Sequence, residues 1–162
     1  MTDFLVMPDL EAIASTVIRG AAIPGLVGVY SSIPAKPTYP LAVVKRLGGR
    51  PPVSEALDAA RIQVDVLGGA PGDSSSTPTK GQIHDIAQLA RVALLRAAGQ
   101  SYTTPVMAFI TAVRDEMGIT WSPDNTTKRD RYIFAMFLYG QPLPPGTVVG
   151  SGFSLGFDEG FS

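Results

Sequence analysis

The stretch Ala60-Arg61-Ile62-Gln63-Val64-Asp65-Val66-Leu67 decides the fold class. Ile62, Val64 and Val66 alternate with Arg61, Gln63 and Asp65. That period of two is the mark of a strand with one buried face. Residues 68–79 follow, rich in Gly, Ser, Pro and Thr, and read as a flexible loop. Over 80–98 the period changes. Ile83, Ile86, Ala87, Ala90, Ala93, Leu94 and Ala97 line up as the apolar stripe of a long helix. Its alanines allow close approach to a sheet, and Gly99 suits its C-terminal cap. Leu89, Val92 and Leu95 widen the apolar surface beyond what one packing face needs.

Working outward, residues 8–20 predict a first helix. Leu10, Ile13, Ala14, Val17 and Ile18 share one face, Pro8 suits the first turn and Gly20 the stop. Asp9 and Glu11 complement the positive end of the helix dipole. Residues 27–31 read as a short strand, followed by a loop with Pro34, Pro37 and Pro40. Leu41 to Leu47 reads as a strand that Gly48-Gly49-Arg50-Pro51-Pro52 breaks, and 53–59 as a polar connection. Beyond the long helix, Val106–Met117 and Tyr132–Tyr139 read as strands joined by a turn-forming loop, Gly118–Arg131. Nothing periodic follows Gly140.

The expected order is α-β-β-β-α-β-β. It predicts an α+β domain with a mixed, mostly antiparallel sheet of four to five strands packed by two helices. That domain spans residues 1–139, and residues 140–162 form a Gly/Pro/Phe-rich C-terminal arm. A chain of 162 residues buries roughly 70% of its unfolded surface, so it needs no covalent staples.

Composition removes most chemistry. No cysteine is present, which excludes disulfides, thiolate metal sites and cysteine catalysis. A single histidine excludes histidine metal clusters. A formal charge of -1 speaks against a dedicated nucleic-acid binder. The first basic residue is Arg19, and Pro8 cuts the early apolar run short, so no secretory signal is expected. No stretch is long and apolar enough for a membrane span. The expectation is a soluble protein made in a cytoplasm, with no membrane association.

The remaining motifs are weak as chemistry. Gly68, Gly69, Gly72 and Lys80 before a helix suggest a phosphate loop, the basis of an alternative reading as a soluble nucleotide-binding domain. Lys80 lies eight residues past Gly72 and lacks the following Ser/Thr, so the spacing fails. His84 and Asp85 are helix neighbours that do not face each other, and His84 reads as a boundary residue. Asp115 and Glu116 point to opposite faces of a strand. No nucleophile elbow surrounds Ser74 to Ser76. The chain is therefore expected not to be an enzyme and to hold no cofactor or metal.

Contact features stand out instead. Arg61, Gln63 and Asp65 give the sheet a polar face of mixed charge, suited to solvent, a neighbouring subunit or a lumen. Trp121 sits in the turn-forming loop. Phe153, Phe157 and Phe161 recur every four residues, each after a glycine. Glycine interruption argues against a stable helix there. Large aromatics in such a segment read as anchors for a subunit or partner. The candidate contact residues are Phe153, Phe157, Phe161, Trp121, Arg61 and Asp65.

The segment Ala60 to Gly68, the loop after it, and the helix carrying Ala87, Leu89, Ala90, Val92 and Leu95 resemble the tail terminator proteins of long, non-contractile-tailed bacteriophages. Those proteins open with an amphipathic helix, and a strand like Pro40 to Val44 follows. Next come an Arg-(Ile/Val)-Gln-(Ile/Val)-Asp-Val strand and an alanine-rich helix. A hairpin ending on an aromatic-rich strand, here Tyr132 to Tyr139, closes the domain. The similarity covers residues 8–140 in order and spacing. The Gly-Phe tail and the long 68–79 loop depart from the family pattern.

The resemblance implies a structural virion protein, synthesised in the host cytoplasm and placed in the neck. It implies a homohexameric ring that caps the tail tube, ends tube polymerisation and joins the head-completion proteins. Its partners are then the tube protein and a stopper protein, and DNA passes through the lumen without sequence-specific binding. Another head–tail joining role, as a stopper or tail-completion protein, is the alternative within the same class.

Overall fold

A computed structural model describes residues 7–54, 57–69, 78–103 and 107–143. The decisive strand is β3 (Leu57–Leu67). Its alternation is realised: Ala60, Ile62, Val64 and Val66 are fully buried on one face. Helix α2 (Lys80–Leu95) lies on that face through Ile83, Ile86, Ala87, Ala90 and Leu94. Helix α1 (Leu10–Gly20) joins the same core through Leu10, Ile13, Ala14 and Ile18. Each buried Leu, Ile or Val among them contributes about 1.5–3 kcal/mol.

The remaining strands are β1 (Gly28–Tyr30), β2 (Leu41–Ser54), β4 (Ser101–Tyr102), β5 (Ala108–Trp121) and β6 (Arg131–Pro142). They form one six-stranded sheet in the order β1-β2-β3-β6-β5-β4. Only β1 and β2 run parallel, and the other neighbours are antiparallel. The fold is α+β, as expected, with one strand more than the four to five predicted. The extra strand, β4, is a two-residue edge with no periodicity to read.

Helix ends follow from local chemistry. Asp9 is the N-cap of α1, accepting the Ala12 N–H at 3.0 Å, so Pro8 lies outside the helix. Gly20 is helical rather than a stop, and the left-handed residue after it is Ala22, at φ 47°. Thr79 and Gln82 form a capping box at the start of α2. The expected run to residue 98 ends at Leu95, because the chain tightens into bonds from Ala97 to Leu94 and from Ala98 to Leu95. Gly99, at φ +77°, then turns the backbone so that its N–H meets the Ile110 carbonyl at 2.7 Å.

Four strands outrun their expected bounds. Strand β2 continues through Gly48-Gly49-Arg50-Pro51-Pro52, and β3 begins at Leu57. The pairing jumps from Arg46↔Ile62 to Gly49↔Ala60, a bulge that absorbs the glycines. Here β2 has lost β1 as a neighbour and is an edge, where proline is tolerated. Strand β5 extends to Trp121 and β6 to Pro142, so the β5–β6 connection is shorter than expected. Gly140, set at the head of the arm in the sequence reading, is an interior position of β6. A side chain there would meet Leu10 Cδ2 at 2.5 Å. Residues 144–162, with Phe153, Phe157 and Phe161, lie outside the described residues.

Candidate assembly surface

Both helices occupy one face of the sheet. The opposite face is built from the other register of each strand: Lys45, Arg61, Gln63, Met117, Arg114, Phe137 and Tyr139. Arg61, Phe137 and Arg114 form one cross-strand row. Arg61 Nε donates to Glu116 Oε2 at 2.5 Å across this face. Both side chains are about one-third exposed, so the pair is worth no more than about 1 kcal/mol. Arg114 lies over the Tyr139 ring at 5.9 Å.

One end of this face is covered. Leu41, Val43 and Leu67 form a second apolar cluster, against which Tyr30 and Tyr39 pack. Asp65 opposes Val43 and is buried. Its carboxylate accepts from Gln63 Nε2 at 2.6 Å and lies 3.9 Å from Arg131 Nη1. The sequence reading named Asp65 as a contact candidate on a polar face; in the isolated chain its side chain is buried and already engaged. Tyr39, from the proline-rich segment, packs on the neighbouring Leu41, Val43 and Leu67, a contact that alternation within β3 cannot reveal. The Arg129 guanidinium stacks on Tyr39 at 4.0 Å, so the hairpin connection closes this end from the other side.

Trp121 belongs to the helix face. It opposes Tyr132, and the Lys80 ammonium sits 3.6 Å from its ring centroid. Its indole N–H donates to Asp130 Oδ1 at 3.1 Å. Trp121 is therefore a clamp between the β5–β6 connection and the start of α2, although half its surface is exposed. The structure brings Arg61 and Asp65 onto one face and leaves Trp121 on the other.

The weak chemical motifs are engaged locally. Lys80 covers Trp121, and the Thr79 hydroxyl accepts the Gln82 N–H at 3.3 Å. His84 packs edge-on against Tyr132 at 5.2 Å. Asp115 takes a two-pronged contact from Arg91 on α2 while Glu116 takes Arg61, so the two carboxylates serve opposite faces. In the connection, Thr127 and Thr126 donate to Asp124 and hold its carboxyl below the usual range. Among the described residues no group of His, Asp and Glu is placed to ligate a metal, and no helix is long and apolar enough to cross a membrane.

The sheet edges complete the surface. On one side β1 covers only Leu41 to Val43 of β2. On the other side β4 covers only Ala108 and Phe109 of β5. Among the described residues the rest of each long edge has no strand beside it. The Glu11 carboxylate accepts the Arg46 N–H at 2.7 Å, and Arg46 also grips buried Asp58 through two bonds, at 2.8 and 2.9 Å. The β5 edge carries Arg114, Asp115 and Glu116 and three register shifts. Such charges and bulges block indiscriminate pairing while leaving room for a shaped partner. No family model matches the chain, and no curated protein matches it.

Proposed function

We propose that this chain is a tail terminator of a long-tailed bacteriophage. In this reading it is a non-enzymatic neck component that closes into a hexameric ring on the tail tube. The ring ends tube polymerisation and presents its other side to the head-completion protein. The observation that carries the reading is the one-sided sheet, with both helices on one face, charged and aromatic residues on the other, and two long edges on opposite sides that, among the described residues, have little strand beside them. A heterologous contact between two different edges repeats from copy to copy, and it yields a ring when the rotation closes. A net charge of -1 suits a lumen through which DNA slides without sticking. The protein then resides in the virion neck after synthesis in the host cytoplasm.

The function is tested on growing tail tubes. Added chain should stop elongation at one tube end and leave capped tubes of fixed length. Tubes that lengthen unhindered at saturating chain would overturn the reading.

A further inference from the structure

An open groove of about 580 Å³ runs between α1 and α2. Val17, Ile23, Leu89, Val92, Ala93 and Tyr102 line it. This is the surplus apolar surface of α2: Leu89 stays 45% exposed because the sheet takes the stripe one position away. Arg96 stands at the rim, and its guanidinium has no ion-pair partner among the described residues.

We propose that residues 150–162 of the same chain occupy this groove, with Phe153, Phe157 and Phe161 as anchors. The inference is independent of the tail-terminator reading. Four observations carry it. The first is where the described chain ends. Tyr102 opposes Ala108 and Ala108 opposes Pro142, so the groove wall stands two strand spacings, about 10 Å, from the end of β6. The Leu143 N–H, bonded to the Met107 carbonyl at 3.2 Å, fixes that exit.

The second is length. Phe153 lies ten positions past Leu143, a reach of up to about 35 Å when extended, ample for the groove of the same molecule. A tether this short gives a local concentration on the order of millimolar, which favours the chain's own arm over a second copy. The third is pattern. In an extended segment Phe153, Leu155, Phe157 and Phe161 fall on one side, interrupted only by Glu159, and Gly152, Ser154, Gly156, Asp158 and Gly160 on the other. That is an apolar ribbon with a small and polar back, the shape an apolar groove accepts. The fourth is charge: Asp158 and Glu159 lie among the anchors, and Arg96 is the charged residue of the groove.

The absence of cysteine makes the test clean. Full-length chain with Ala93→Cys and Ser154→Cys is treated with a short bis-maleimide. The expected product is a bridge within one chain, its yield unchanged on dilution. The yield should fall several-fold when Phe153, Phe157 and Phe161 are replaced by serine in the same background. In full-length chain without cysteines, the three serines should speed amide exchange across residues 89–97. No bridge, or a bridge whose yield ignores the three phenylalanines, overturns the proposal. So does efficient bridging in a mixture of the two single-cysteine chains, which would place the arm on a second copy. Unchanged exchange at 89–97 would also count against it.

Discussion

Gly49 lies where β2 jumps register, and an added Cβ would stand 2.0 Å from the Ala59 carbonyl oxygen. That neighbour is backbone and cannot swing aside. Gly49→Ala should therefore cost about 3 kcal/mol in thermal or denaturant unfolding. Gly118→Ala, with nothing within 4 Å, is the matched control and should change little. Two phenols make a pH prediction. Burial raises the pKa of Tyr102 and of Tyr132, and Asp130 adds to the rise at Tyr132. A folded pKa above the unfolded value of about 10 gives support that is complete below it. That support is lost as pH rises through the folded value. Alkaline melts should show the loss, and Tyr132→Phe should reduce it. At this scale the sequence revealed which residues face the core. It did not reveal Asp65's burial, because its neighbours Val43 and Arg131 come from other strands.

Helix α2 shows how local signals and tertiary context divide the work. Its apolar stripe, its start and its glycine turn are all legible from residue spacing. Its stop at Leu95 is not, because that depends on Gly99 reaching the Ile110 carbonyl of β5. Thr79→Ala removes the hydroxyl that takes the Gln82 N–H, and should cost about 1 kcal/mol of stability. Retained affinity or assembly in that variant would confine Thr79 to the cap. Strand β2 shows the converse. Gly-Gly and Pro-Pro read as a break, yet an edge strand tolerates a proline on its open side, and the β2–β3 pairing shifts again between Arg50 and Ser54, where the two prolines fall. Strand β4 exists only because β5 lies beside it.

For the whole molecule, the α+β layering followed from β3 and α2 alone, since a half-buried strand and an amphipathic helix must share a core. The α1–α2 groove did not follow, because it joins residues about seventy positions apart in the chain. Of the described contact residues named from sequence, Arg61 and Asp65 share the sheet face away from the helices, and Arg61, paired with Glu116, is the more exposed of the two. Arg61→Glu sets two like charges together there. Because the pair is about one-third exposed, the fold should lose only about 1 kcal/mol, while ring formation should fail. Unaltered assembly by that variant would remove this face from the contact.

The most direct test of ring formation is the native mass of the full chain, alone and mixed with tail tubes. A hexamer, free or appearing on the tubes, is the expected result. A chain that stays monomeric in both conditions would contradict the account.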